Sequence, residues 1–190
     1  MTEWTRVNEI SAAPLLAEFE VSDEASEIVV PDATTKANVE ALEKAGLYYD
    51  AIKLLAHALP KREAVWWSCL ASRQAQKPDA DQPNIDALIA AEAWALKPTE
   101  ENRLWCKKLA EVTKSKTPSS WAAMAASWCT GSMAKEGEPE ILPPKYLYAH
   151  AVAGSVSLAA AFINPDAPSE QMAFALRQGA DLAAGGDGVL

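Results

Sequence analysis

Alanine is the feature that most constrains this chain, because it supplies 38 of the 190 residues. Alanine has the highest helix propensity of the common residues, and its small side chain lets helix backbones approach one another closely. Valine, isoleucine and threonine do not alternate with polar residues over any long run, so strand signals are nearly absent. Small side chains leave volume between the helices, and the seven tryptophans are large enough to fill it. The sequence predicts an all-α fold whose core the tryptophans fill.

Apolar residues recur at helical spacing along the whole chain and predict about eight helices between short polar turns. Paired helices give units of about 35–45 residues, the size of helical-repeat hairpins. The segment 91–98, followed by Trp105, is loosely similar to a tetratricopeptide unit, but the spacing between units is irregular. We therefore expect stacked antiparallel helix pairs, either tetratricopeptide-like or an irregular α-bundle. The residues predicted to begin helices are Ser11, Ser22, Thr34 or Thr35, Asn84, Thr99 and Ser119-Ser120.

We interpret residues 1–190 as a single helical domain. Acidic N-terminal helices occupy 1–46, repeat-like helix pairs occupy 47–134, a linker loop occupies 135–144 and a C-terminal helix pair occupies 145–185. The linker contains glycine and prolines among charged residues. The residues after 184, rich in glycine, are expected to form a frayed tail.

The acidic charge of the chain is local. The net charge is −9 and the pI about 4.8, which argues against a nucleic-acid-binding protein because such proteins need a basic face. Residues 1–46 carry a net charge of −7 and residues 47–190 a net charge of −2. The acids of this part, among them Asp23, Glu24 and Glu27, are therefore candidates for contact with a basic protein partner. A solvated flank that keeps the protein soluble explains them equally well.

The chain is expected to act in the cytoplasm without a membrane span. Residues 1–6 show no signal-peptide pattern, and the three widely spaced cysteines are typical of reduced thiols rather than disulfides. Residues 146–163 contain no charged side chain, but they are mostly alanine. This composition favours a helix buried within the protein over a membrane span.

The segment 55–67, Leu-Ala-His-Ala-Leu-Pro-Lys-Arg-Glu-Ala-Val-Trp-Trp, is the most distinctive. Lys61 and Arg62 fall in the first turn of a predicted helix, where the helix dipole disfavours cations, whereas Glu63 is favoured. A functional interpretation makes Lys61, Arg62, Glu63, Trp66 and Trp67 a protein-binding site. A structural interpretation pairs Lys61 or Arg62 with an acid of a preceding helix and buries the two indoles, and this is the favoured one.

No residue is assigned a catalytic, cofactor-binding or metal-binding role. His57 and Cys69 lie on adjacent helices, but a cysteine nucleophile also needs an orienting group and an oxyanion donor, and none is identifiable. The cysteines and histidines lack zinc-site spacing, and the phosphate, dinucleotide, zinc and calcium motifs are absent.

The segment 58–70 resembles an uncharacterised bacterial all-helical family in which an Ala-Leu-Pro-Lys-Arg-Glu-Ala-Val-Trp-Trp-x-Cys-Leu sequence recurs. The segments 15–25 and 50–56 are similar as well, so that the resemblance covers most of residues 10–110. The family has no assigned enzymatic activity and is associated with type VI secretion gene clusters. The resemblance thus implies an adaptor, chaperone or accessory role and carries over no catalytic residue.

The sequence therefore favours a non-enzymatic protein–protein interaction module with no cofactor. One alternative is a small-ligand-binding protein or enzyme whose pocket lies near His57, Arg62 and Trp66. Another is an effector-binding or toxin-neutralising protein that uses the acidic N-terminal face. The oligomeric state does not follow from the sequence.

Overall fold

The computed structural model describes residues 3–135 and 137–190. This part of the chain is all-helical, with ten helices, 62% helical content and no strand. The helices are α1 (Ala13–Leu16), α2 (Asp23–Ser26), α3 (Thr35–Lys44), α4 (Tyr48–Ala58), α5 (Lys61–Ala75), α6 (Gln82–Leu96), α7 (Glu100–Thr113), α8 (Pro118–Ser127), α9 (Leu147–Ile163) and α10 (Pro168–Ala183). The prediction of an all-α fold is confirmed.

Three of the predicted helix starts are confirmed by their side-chain caps. The side chains of Ser22, Thr34 and Thr99 each accept a hydrogen bond from a backbone N–H in the first turn of the helix that follows. These bonds satisfy donors that have no partner within the helix. The cap residues were recognisable because each stands directly before an apolar helical pattern.

Two other helices begin earlier than predicted. Asp81, not Asn84, caps α6, and Thr117, not Ser119, caps α8. In both helices a proline occupies the first turn, where its missing N–H needs no acceptor. The cap therefore moves to the residue before the proline-containing turn. In the N-terminal segment, the helix predicted to begin at Ser11 consists only of Ala13–Leu16.

Helices α5 and α9 lie at the centre of the bundle. Helix α5 packs against α6, α8, α9 and α10, whereas α4 packs against α3, α9 and α10. Because α5 contacts helices some eighty residues away, the arrangement differs from a solenoid, in which each unit contacts only its neighbours. Of the two expected forms, the irregular α-bundle is the one observed.

Alanine builds this core as expected, since 24 of the 38 alanines are buried. The expectation that tryptophans fill the core holds for Trp67 and Trp94, which are buried. It is wrong for Trp105, whose side chain is exposed on α7. Among the described elements, α7 shares substantial contacts only with α6 and α8. One side of α7 therefore faces solvent.

The C-terminal residues are bound to the bundle, and the prediction of a frayed tail is wrong. Gly188 is buried, its carbonyl accepts a hydrogen bond from Gln178 Nε2 at 3.0 Å, and its N–H donates to Asp181 Oδ2 at 2.9 Å. Gly188 has a φ of +76°, and a Cβ there would lie 2.6 Å from Leu70 Cδ1. Glycine is therefore required for the tail to lie against α5.

Helix α9, the uncharged helix, has 17 residues and is largely buried within the bundle. Across residues 3–135 and 137–190, no helix combines the length and the apolar character needed to cross a membrane.

Candidate protein-binding site

The cations at the start of α5 are bound to the ends of other helices. Arg62 Nε donates a hydrogen bond to the carbonyl oxygen of Ala95 at 2.7 Å, in the last turn of α6. Lys61 Nζ donates to the carbonyl oxygen of Cys129, just after α8. Carbonyl groups at helix C-termini attract cations, and this offsets the unfavourable position of both residues on α5.

The predicted pairing of these cations with an acid of a preceding helix is not observed. Within residues 3–135 and 137–190, no carboxylate lies within salt-bridge distance of Lys61 or Arg62. The adjacent Glu63 is half-buried in the first turn of α5, where its charge suits the helix dipole.

The two tryptophans of the motif join α5 to the C-terminal part of the chain. Trp67 is fully buried and donates from Nε1 to the carbonyl oxygen of Ala175 on α10 at 2.8 Å. Trp66 is half-buried and donates from Nε1 to the carbonyl oxygen of Asp187 in the tail at 2.9 Å. Each indole thus satisfies its polar atom while it packs.

Arg62, Glu63 and Trp66 line a cleft of about 170 Å³ together with the exposed Leu96 and part of the tail. This volume is below the range of about 300–1,000 Å³ typical of small-molecule sites. His57 and Lys61 do not line this cleft. Lys61 lines a separate cleft of about 420 Å³ beside Tyr146 and Tyr148.

His57 lies inside an aromatic cluster. Its imidazole is fully buried, 4.5 Å from the ring of Phe19, 5.6 Å from that of Tyr146 and 4.8 Å from that of His150 between centroids. Its Nδ1 donates to the carbonyl oxygen of Lys53 at 2.7 Å, whereas Nε2 has no partner among the described residues. Burial lowers the pKa of His57 to about 4, so the ring is neutral at pH 7.

Cys69 is buried in α5, and burial raises the pKa of its thiol well above the ordinary value. A neutral buried thiol is a poor nucleophile. Cys106 and Cys129 are buried as well. No group of three histidine, cysteine or acidic side chains in the described part of the chain has the arrangement of a metal site.

The acidic residues Asp23, Glu24 and Glu27 are exposed on α2 and at its C-cap. The segment that carries them is fastened to α4, because Asp50 Oδ1 accepts from the backbone N–H of Ser22 at 3.1 Å and Oδ2 accepts from its hydroxyl at 2.8 Å. The carboxylates are thus displayed on a fixed part of the surface.

Sequence reasoning missed a surface on which α6 presents apolar side chains to solvent. Ile89 is 42% and Leu96 70% exposed, and Ile85 is half-buried. The three lie at i, i+4 and i+11 on one side of the helix, and the charged Glu92, at i+7, lies between Ile89 and Leu96 in the same row. Leu88, Ala91 and Ala95 of the same helix face the core instead.

A second apolar row lies on α7. Trp105 is 39% and Val112 54% exposed, with half-buried Leu109 between them. These residues share a side of α7 with Asn102, three residues before Trp105, and Asn102 Nδ2 donates to the carbonyl oxygen of Ala93 on α6 at 3.2 Å. The row therefore borders α6.

Three residues connect α6 and α7, so the two helices run antiparallel. The α6 row turns toward α5, because Leu96 lines the cleft beside Arg62 and Trp66. We name the solvent-facing apolar residues of these two neighbouring helices the α6–α7 strip; they are Ile85, Ile89, Leu96, Trp105, Leu109 and Val112. Two signals in the sequence indicate it: α6 carries large apolar residues outside its core-facing stripe, and Trp105 shares a helix face with charged residues.

Charged side chains of both signs lie among the residues of the strip. Glu92 interrupts the α6 row, and its Oε2 lies 2.6 Å from Nη2 of Arg73 on α5. On α7, Glu101 and Lys108 are exposed at positions next to Trp105 and Val112 on the helix surface. Polar and charged residues around exposed apolar side chains are common at protein interfaces.

No curated protein and no solved structure matches the chain. A family of unknown function, DUF6931, matches residues 38–183, which include α4 to α10 and the distinctive segment 55–67. The match is consistent with the expected resemblance to an uncharacterised family, although it extends further toward the C-terminus. Because the match covers more than half of the sequence, the chain belongs to the family of unknown function DUF6931.

Proposed function

We propose that this protein is a non-enzymatic protein–protein interaction module and that the α6–α7 strip is its binding surface. The observation that carries the proposal is the exposure of Leu96, Trp105 and Val112 on two neighbouring helices. Exposed tryptophan at the centre of an apolar patch is typical of binding hot spots. Burial of these side chains by a partner would favour a complex, since removal of apolar area from water gains about 25 cal/mol per Å² before the entropy cost of association is subtracted.

The resemblance of the segment 58–70 gives this proposal a biological setting. It supports a cytoplasmic adaptor, chaperone or accessory component of a bacterial type VI secretion system. The cleft beside Arg62 and Trp66 supports the same proposal, because it is small and His57 lies outside its lining.

Site-specific photocrosslinking in the native cell tests the proposal. The photoreactive residue benzoylphenylalanine replaces Leu96 in one variant and Leu142 in a matched control, because both leucines are strongly exposed and only Leu96 belongs to the strip. We expect a discrete protein adduct at position 96, identified by mass spectrometry, and none at position 142.

Equal adducts at both positions, or no adduct at position 96, would contradict the proposed surface. Substitution of Trp105 by alanine in the position-96 variant is expected to reduce the adduct at least tenfold, since a hot-spot residue contributes about 2 kcal/mol or more to binding. Circular dichroism of the purified variant checks that the fold is retained.

A further inference from the structure

We propose that the cleft between the N-termini of α6 and α8 binds a free α-amino acid with a small aliphatic side chain. This cleft lies apart from the α6–α7 strip, so the inference stands or falls independently of the proposed function. It follows from an unpartnered buried serine at a helix N-terminus and from charges of both signs within one small cleft.

The cleft has a volume of about 240 Å³ and is bordered by the loop 76–81, the first turns of α6 and α8, and Phe162 near the end of α9. Sites for drug-sized ligands occupy about 300–1,000 Å³, so a smaller ligand fits here. At about 30 Å³ for each water molecule, the cleft has the volume of roughly eight waters. Valine and leucine contain about as many non-hydrogen atoms.

Ser119 is the residue that indicates a ligand. It lines the cleft and is only 6% exposed, yet its hydroxyl makes no hydrogen bond with any residue of 3–135 or 137–190. Its backbone N–H, in the first turn of α8, has no acceptor there either, because the N-cap side chain of Thr117 accepts from Ser120. Buried polar groups normally have partners. Two adjacent donors at the positive end of a helix suit an anion such as a carboxylate.

Lys77 supplies a second positive group to the cleft. Its Nζ lies 6.0 Å from the ring centroid of Phe162, and both residues line the cleft. Within the described part of the chain, no carboxylate lies within salt-bridge distance of this ammonium. Lys77 is therefore available to a carboxylate bound at Ser119.

Asp79 and Asp81 place negative charge in the same cleft. Asp81 Oδ1 caps α6, since it accepts from the backbone N–H of Asn84 at 3.0 Å and from its Nδ2 at 2.7 Å. Asp79 is exposed and forms no ion pair among the described residues. These carboxylates would repel a simple anion, whereas Lys77 and the N-terminus of α8 would repel a simple cation. An α-amino acid carries a carboxylate and an ammonium on one carbon atom and so satisfies both sets of charges.

The rest of the lining suits an aliphatic side chain, because it includes Ala75, Ala80, Pro118 and Phe162. Hydrogen bonds fix one wall of the cleft. Ser72 Oγ lies 3.2 Å from Ser155 Oγ, which donates to the carbonyl oxygen of Pro118 at 2.9 Å. The apolar surface is thus formed before a ligand binds, as is usual for small-molecule sites.

Isothermal titration calorimetry of the full chain with L-leucine and L-valine at neutral pH tests the inference. Two control ligands each lack one charge: isocaproate is leucine without its ammonium group, and isoamylamine is leucine without its carboxylate. We expect at least one of the two amino acids to bind saturably at one site per chain. Both control ligands should bind at least tenfold more weakly than leucine, because each loses one charged contact.

Matched variants locate the binding. Lys77→Gln and Asp79→Asn each remove one charge from the cleft, and Ser119→Ala removes the unpartnered hydroxyl. Lys116→Gln and Asp166→Asn remove the same charges from exposed residues outside the cleft. We expect each cleft variant to raise the dissociation constant at least fivefold and each control variant to change it less than twofold. Thermal unfolding checks that every variant keeps its fold.

Three outcomes would overturn the inference. Neither amino acid binds, or isocaproate or isoamylamine binds as tightly as leucine, or the cleft variants bind the amino acid as well as the control variants do. The second result would make the cleft a site for a single charge, and the third would place the amino acid elsewhere on the protein.

Discussion

Gly179 of α10 lies directly against the indole of Trp67 on α5. A Cβ at position 179 would come 2.9 Å from Cε2 of the indole and 2.7 Å from Leu55 Cδ2. No residue but glycine therefore lets α10 approach both α4 and α5 so closely, and the buried indole keeps its hydrogen bond to Ala175.

We expect Gly179→Ala to destabilise the protein by about 1–3 kcal/mol, because the added methyl group overpacks a closed core. The control is Gly154→Ala in α9, where the added Cβ would make an ordinary contact of 3.8 Å with Trp121. Alanine there should stabilise the helix by about 0.5–1 kcal/mol. Urea denaturation measures both changes, and effects of the same sign would contradict the argument.

The buried Arg103 is expected to hold the loop that follows α8. Its Nη1 donates to the carbonyl oxygens of Ser127 at 3.2 Å and Ser132 at 3.3 Å, while Nε and Nη2 each donate to Glu100 at 2.6 Å. Arg103→Met should lower the free energy of unfolding by about 2–3 kcal/mol, because one buried and one partly buried carbonyl lose a charged donor. Limited proteolysis should then cut the loop faster.

The control for Arg103 is Glu100→Gln. Because Glu100 is mostly exposed, its ion pair with Arg103 contributes little, and the loss should stay below about 1 kcal/mol. If both variants lost equal stability in urea denaturation, the ion pair rather than the carbonyl contacts would be the stabilising interaction.

Stability should fall in mild acid through His57. Its pKa is about 4 in the folded protein because of burial and 6.5 in the unfolded chain, so the unfolded state binds more protons between these values. The contribution is complete above pH 6.5 and is lost as the pH falls toward 4, by up to about 3 kcal/mol. Urea denaturation at several pH values measures it. The difference in the free energy of unfolding between wild type and His57→Phe should shrink by this amount as the pH falls. A difference that stays constant with pH would contradict the prediction.

Asp50 should determine whether the N-terminal segment stays docked. Asp50→Ala removes both acceptors of Ser22 and should cost about 1–3 kcal/mol, with faster hydrogen exchange at the Ser22 and Ala25 amides. Asp23→Ala, an exposed change in the same segment, is the control and should stay within about 0.5 kcal/mol. Unchanged exchange in Asp50→Ala would show that other contacts hold the segment.

The helices were predictable where local chemistry decides them. Ser22 and Thr99 stand before apolar rows and cap the helices that follow. The starts of α6 and α8 were misplaced because a proline in the first turn moves the cap toward the N-terminus. The order in which helices pair did not follow from the sequence, since the packing of α5 on α9 depends on contacts between distant residues.

The candidate site was less predictable than the fold. Helical spacing placed Trp105 on α7 but did not indicate which side of α7 would lack a neighbour. Lys61 and Arg62 were correctly recognised as unusual at a helix start, yet their partners are carbonyl groups of α8 and α6. A backbone carbonyl partner cannot be recognised from the sequence, because every residue has one. A carboxylate partner can be, because only aspartate and glutamate side chains carry it.

The packing of α5 on α9 and α10 also has a consequence during synthesis. When the ribosome has made residues 61–134, α5 has α6 and α8 beside it but still lacks the helices of residues 147–183. Trp67 has no Ala175 to bond until the last helix emerges. We therefore expect the nascent chain to keep an apolar side of α5 uncovered until translation is almost complete, a period in which a holding chaperone would find its substrate.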